Sequence, residues 1–121
     1  MKHLILGNGP AGVVAAETLR KVAPADDILM VGFEDAPPYS RMAIPYLLEG
    51  NIDESGIYLR KGVDHFERLR IRQLRGRAVA LDTAKRKALF DDGHFEHYDR
   101  LLIATGSHPV RPPIPGVDLP S

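Results

Sequence analysis

Lys2-His3-Leu4-Ile5-Leu6-Gly7-Asn8-Gly9-Pro10-Ala11-Gly12, continued by Val13 to Val22, decides the fold. A short apolar run leads straight into three glycines spaced G-x-G-x-x-G, and a helical pattern follows. Strand, glycine turn and helix in that order give the spacing its physical meaning. Gly7 permits a tight turn out of the strand. Gly9 carries no side chain, so a pyrophosphate can come close to the backbone. Gly12 lets the helix lie against the sheet. Pro10 suits the first helical turn, where its missing N–H costs nothing. The free N–H groups and the positive end of the helix dipole then face the phosphates.

A second apolar run, Ile28-Leu29-Met30-Val31, ends in Gly32-Phe33-Glu34. That places Glu34 at the ~20-residue spacing of a ribose-binding acid. The competing reading is an ordinary βαβ unit with a glycine turn and a surface Glu34. The first helix spans about Pro10–Val22, with Ala11, Ala15, Thr18, Leu19 and Val22 on one face, and Pro24 ends it. The second strand, about Asp27–Val31, is continuously apolar after its first residue, as a strand buried on both faces should be.

At 121 residues and 44% hydrophobic content the chain is one domain, or part of one, with material for a core. Its formal net charge is zero, which gives no bias toward nucleic acid or acidic membranes. The stretch from Arg60 to Lys87 is basic, but it has no aromatic interleaving and is flanked by acids, the pattern of a solvated face. There is no cysteine, so no disulfide, thiolate metal site or redox dithiol can form within the chain. No apolar run reaches the length of a membrane span. Asn8, Pro10 and the glycines interrupt what would otherwise imitate a signal peptide. A cytoplasmic protein without membrane or nucleic-acid partners is expected. His94 and His97 stand three apart and on a strand face opposite sides, so no metal site is predicted. No general base or nucleophile stands out, and no catalytic residue is assigned.

After the second strand the pattern breaks. Asp35-Ala36-Pro37-Pro38-Tyr39-Ser40-Arg41 is a proline-stiffened loop, followed by Met42 to Gly50. Arg41 can fork onto a phosphate or ribose, or pair with Asp35 or Glu49 as a surface arginine. Asn51 to Gly56 is a turn, Ile57-Tyr58-Leu59 extends briefly, and Val63–Leu69 is helical with Phe66 and Leu69 inward. Ile71–Leu74 is a candidate third parallel strand, unusual in its arginines. Ala78–Leu81, Lys87–Phe90 and Phe95–Tyr98 form an antiparallel meander, with Asp92-Gly93 as a hairpin signal. The next core strand is Leu101–Thr105, closed by Gly106. The tail from Ser107 holds five of the ten prolines and is predicted to be an extended linker.

Tyr98-Asp99-Arg100-Leu101-Leu102-Ile103-Ala104-Thr105-Gly106-Ser107 resembles the "ATG" motif of the flavin-dependent pyridine nucleotide–disulfide oxidoreductase superfamily. Pro109 to Gly116 is similar to the crossover to its nicotinamide domain. Pro38-Tyr39-Ser40-Arg41 resembles the corresponding segment of the ferredoxin-reductase, rubredoxin-reductase and nitrite-reductase large-subunit branches. The resemblance implies an α/β Rossmann-like FAD/NAD(P)-binding domain, a parallel sheet plus a three-stranded antiparallel meander, incomplete here. It implies FAD as the bound dinucleotide and NAD(P)H as electron donor through a domain the chain does not contain. Gly7, Gly9, Pro10, Ala11 and Gly12 would hold the pyrophosphate and Glu34 the adenosine ribose. Arg41 would lie beside the dinucleotide, the main chain near Ala78 would meet adenine, and Thr105 and Gly106 would pack near the phosphates. Many members carry an acid in place of Phe33, which leaves either Glu34 or Asp35 as the ribose ligand. The redox cysteines of the disulfide-reductase branches are missing.

Residues 1–108 are therefore expected to be the N-terminal portion of an FAD-binding domain and 109–121 a linker toward a missing nicotinamide domain. By this reading the chain is part of an NAD(P)H-dependent oxidoreductase and does not turn over by itself. Electrons would pass to a ferredoxin- or rubredoxin-type protein or to a redox centre in the same polypeptide, with a homo-oligomer also compatible. The free sheet edge would be covered by other protein. An NAD-dependent dehydrogenase fragment and a non-enzymatic nucleotide-binding or assembly module are the alternatives.

Overall fold

The computed structural model describes residues 1–120. β1 (Lys2–Leu6) and β2 (Asp27–Gly32) are parallel neighbours, with Leu4 opposite Leu29 and Leu6 opposite Val31. The crossover between them is α1 (Pro10–Val22). β7 (Arg100–Ile103) flanks β1 on the other side, and β3 (Ile71–Arg75) lies beyond β2, giving the all-parallel order β3-β2-β1-β7. The first strand thus lies inside the sheet with the Leu101 strand beside it. The arginines of β3 follow from its place at an edge. Only Ile71 is buried, while Arg72 reaches Asp27 at 2.7 Å and Arg75 reaches Asp35 at 3.3 Å.

Alternation along the strands splits the interior into two cores. Ile5, Ile28 and Met30 point to one face, where they meet Val13 and Ala16 of α1 and Phe66 of α3 (His65–Arg68). Leu4, Leu6, Leu29 and Val31 point to the other and meet Ala88, Phe90 and Tyr98. These last residues belong to or follow a separate antiparallel sheet of β4 (Ala78–Asp82), β5 (Lys87–Phe90) and β6 (Phe95–His97). Its second hairpin closes as the Asp-Gly signal predicts. Gly93 N–H donates to Phe90 O at 3.0 Å, and Phe90 N–H to His94 O at 2.9 Å.

Several boundaries differ from the sequence reading. α1 buries Gly12, Val13 and Ala16, with Ala15 and Leu19 partly covered, whereas Ala11 is exposed and Val22 is 74% exposed. The inward face is rotated because the helix touches the sheet at its smallest residues. β7 ends at Ile103; Ala104 N–H still donates to Leu6 O at 2.7 Å, and Thr105 leaves the sheet. The segment after Ser40 forms a 3-10 turn, Arg41–Ala43, and then α2 (Ile44–Leu48), a helix no periodicity announced. Tyr39 and Tyr58 form an isolated antiparallel bridge, and Ile57 belongs to the 3-10 turn Glu54–Ile57 instead of a strand. The proline-rich tail is not extended throughout. Arg111 turns back to Asp118 at 3.0 Å and donates to Val117 O at 2.9 Å. Ser121, the last residue of the expected linker, lies outside the described residues. Among the described residues no helix is long and apolar enough to cross a membrane.

A polar clasp fastens the long connection between β2 and β3 onto α1. Glu17, 17% exposed, receives two bonds from Arg60 at 2.6 and 2.7 Å and lies 2.8 Å from His65 Nε2. The Arg60 guanidinium holds the Glu17 carboxyl below its usual 4.5, with His65 adding to the effect against the cost of burial. A depressed folded-state value means stability that is present above pH 4.5 and lost as pH falls through the lowered value. Glu17→Gln is expected to cost about 1.5–3 kcal/mol at neutral pH. In urea titrations the wild type should lose stability more steeply than the variant below pH 4.5. Parallel pH profiles would remove the clasp from the stability account.

Candidate functional site

The carboxyl ends of β1, β2 and β7 open onto a cleft of about 630 Å³. Crevices of open α/β sheets that take ligands lie at this end of the strands. Gly7 has φ +118°, and a Cβ there would strike the Ala104 carbonyl. The glycine turn and the end of β7 therefore pack backbone against backbone, which joins the first sequence motif to the last. A Cβ on Gly12 would strike the Gly7 carbonyl, so α1 starts tight under the turn.

Gly9 is different. Its φ of −74° suits any residue, and nothing lies within 4 Å of where its Cβ would stand. Neither backbone conformation nor packing within the chain requires glycine there. The open space in front of it fits a group that must touch main chain. Gly9 is also the N-cap of α1, with no side-chain cap; the first helical bond runs from Val13 N–H to Gly9 O at 3.0 Å. Pro10 has no N–H, and those of Ala11 and Gly12 begin the helix without an intrahelical acceptor. An anion in the cleft would meet these donors and the helix dipole together.

Glu34 stands across the cleft, one-third exposed. The Tyr39 hydroxyl donates to its Oε2 at 2.7 Å, and Arg41 pairs with its Oε1. That carboxylate holds the Tyr39 phenol above its usual 10.0, so the hydroxyl stays a donor. Arg41 thus pairs with neither Asp35 nor Glu49. Asp35 is turned outward, 84% exposed beside Arg75. Thr105 and Gly106 line one wall and Ala78 another. Of the ten residues singled out from sequence, Gly7, Gly9, Pro10, Ala11, Glu34, Arg41, Ala78, Thr105 and Gly106 line one cleft, and Gly12 lies beneath it.

Sequence reasoning missed Asn8, Met42 and Arg77, which line the same cleft. Asn8 left one readable sign. Its side chain fills the space a Cβ on Gly32 would occupy, which accounts for a glycine at the end of β2. Met42 and Arg77 carried no comparable signal, because each is brought in by the turn of a loop. Among the described residues no three His, Asp or Glu side chains are grouped to hold a metal ion. His94 sits 2.7 Å from Asp92 and stacks on Phe90.

Residues 1–120 match the family described as pyridine nucleotide-disulphide oxidoreductase. An NADH oxidase of Methanocaldococcus jannaschii is 34% identical, over 98% of this chain and 28% of its own length. A nitrite reductase [NAD(P)H] of Bacillus subtilis is 37% identical, over 97% of this chain and 15% of its own. Among solved structures, the NADH:rubredoxin oxidoreductase of Clostridium acetobutylicum superposes with a TM-score of 0.85 at 30% identity, covering 94% of this chain and 30% of that one. The chain spans less than a third of the length of each. The family's proteins are FAD-dependent NAD(P)H oxidoreductases. On the match over nearly its whole length, the chain belongs to the pyridine nucleotide-disulphide oxidoreductase family.

Proposed function

We propose that the chain is the FAD-binding portion of an NAD(P)H-dependent flavin oxidoreductase. The observation that carries this reading is the open, uncapped space before Gly9, bounded by Glu34 on one side and Thr105 on the other. Its residues bind and orient. The N–H groups after Gly9 take the pyrophosphate, Glu34 accepts from the adenosine ribose hydroxyls, and Arg41 moves from Glu34 toward the dinucleotide. The flavin, when bound, supplies the hydride and electron chemistry. Donor binding and turnover belong to protein beyond these residues, reached through the proline-rich segment after residue 108.

Electrons pass, in this proposal, to a small redox protein or to a centre in the same polypeptide. A putidaredoxin reductase bound to putidaredoxin, 29% identical and superposing with a TM-score of 0.86, supports the first arrangement. The nitrite reductase relative, of which this chain covers 15%, is in keeping with the second. Without a cysteine the chain offers no thiol for dithiol chemistry. A cytoplasmic setting fits this reading.

Titration with FAD, followed by its visible absorbance and by dialysis, tests the proposal. One FAD per chain is expected. Binding of NAD without FAD would favour the dehydrogenase-fragment reading. Glu34→Ala removes up to two charge-assisted hydrogen bonds and should weaken FAD by about 1.5–3 kcal/mol per bond lost. Asp35→Ala should leave affinity unchanged. The reverse pattern would assign the ribose to Asp35.

A further inference from the structure

We infer that the Glu17–Arg60–His65 clasp is a positioning device for the dinucleotide site, acting through Tyr39 and Arg41 to hold Glu34 for the adenosine ribose. The inference rests on the dinucleotide reading above. None of Glu17, Arg60 and His65 lines the cleft. Their reach is through the connection between β2 and β3, which carries Tyr39 and Arg41. That connection has little core of its own. From Tyr39 to His65 no residue is buried, and neither α2 nor the two 3-10 turns buries a side chain. Leu59 packs, partly buried, on the α1 side of the core. Among the described residues, the hydrogen bonds and ion pairs that join residues 39–65 to α1 or to the parallel sheet all end on Glu17.

From Glu17 a continuous set of bonds leads to the cleft. Arg60 forks onto the carboxylate with Nε and Nη2 and turns Nη1 onto Leu59 O at 2.7 Å. Leu59 N–H donates to Pro38 O at 2.9 Å, and Ser40 N–H to Ile57 O at 2.8 Å. These two bonds frame the Tyr39–Tyr58 bridge. Tyr39 and Arg41, one on each side of Ser40, then hold the two oxygens of Glu34. A forked guanidinium suits the far end of such a relay, because it fixes direction as well as distance. Helix α1 is the common frame. Its first turn faces the space for the phosphates, and its Glu17 anchors the arm that orients the ribose carboxylate.

Calorimetric titration of the full chain with ADP and with inorganic pyrophosphate tests the relay. Both reach the start of α1, and only ADP carries a ribose. Glu17→Gln should weaken ADP by roughly 2- to 30-fold, the range of coupling through packed networks, and leave pyrophosphate unchanged. Arg60→Lys keeps the charge and loses the fork, so it should weaken ADP in the same direction by less. In a Glu34→Ala background Glu17→Gln should cause no further loss, since the group it positions is gone. Asp27→Asn, which removes the Arg72 pair at the opposite end of β2, should leave both affinities unchanged. Equal losses for ADP and pyrophosphate in Glu17→Gln, or unchanged ADP affinity with a lowered melting temperature, would reduce the clasp to a support of the fold and overturn the relay. A loss that persists in full without Glu34 would overturn its route. A wild type that binds neither ligand would refute the dinucleotide reading and the relay together.

Discussion

Gly9→Val is expected to remove dinucleotide binding and keep the fold, while Gly12→Val is expected to damage the fold itself. The contrast comes from what each Cβ would meet. At Gly9 there is open space, so the valine enters the cleft where a pyrophosphate would lie against the backbone. Affinity for FAD or ADP should fall roughly 100-fold or more, about 2.8 kcal/mol. Stability should fall by only about 1 kcal/mol, the scale of losing a favourable N-cap residue. At Gly12 the obstacle is the Gly7 carbonyl, which is main chain and cannot rotate aside. Overpacking there should cost about 3 kcal/mol or more. Urea unfolding and calorimetry on both variants separate the effects. A Gly9→Val protein with wild-type affinity would reduce the glycine turn to a feature of the fold.

Phe90→Ala should be the most destabilising change in the second sheet, at about 3–5 kcal/mol. Phe90 is 1% exposed and joins the core formed with Leu4, Leu6, Leu29 and Val31 of the parallel sheet. It is the bolt between the two sheets. ADP affinity should fall as well, because the Arg77–Ala78 wall of the cleft is carried by β4, whose partner strand bears Phe90. Phe95→Ala is the control; Phe95 is 46% exposed, with Lys87 Nζ 3.5 Å from its ring centre. It should change stability by no more than about 0.5 kcal/mol. Similar losses at Phe90 and Phe95 would mean that the meander does not pack as one layer on the sheet.

The elements most legible in the sequence were those whose signal is local. The run His3–Leu6, the glycine spacing and Pro10 set β1, the turn and α1, and Asp92-Gly93 set a hairpin. The inward face of α1 was not legible in the same way. Ala11 and Val22 look as apolar as Val13 and Ala16, and only the close approach at Gly12 decides which of them touch the sheet. The helix Ile44–Leu48 escaped because a five-residue helix carries no full period, and its Pro45 reads equally well as a loop residue. Within the cleft, Glu34 was reachable by its spacing from the glycine turn. Which of Glu34 and Asp35 faces the cleft was not legible, because adjacent residues at a strand end send their side chains in different directions, and only the fold puts Glu34 on the cleft wall and Asp35 outward.

The claim that a dinucleotide lies against the start of α1 is tested most directly by amide chemical-shift mapping of the 15N-labelled chain during titration with ADP. Saturable shifts are expected at the Gly9, Ala11 and Gly12 amides, with Thr105 and Gly106 following at the same dissociation constant. Shifts confined to other surfaces, such as the apolar groove between α1 and β7, or no saturable shift at Gly9, would contradict the account.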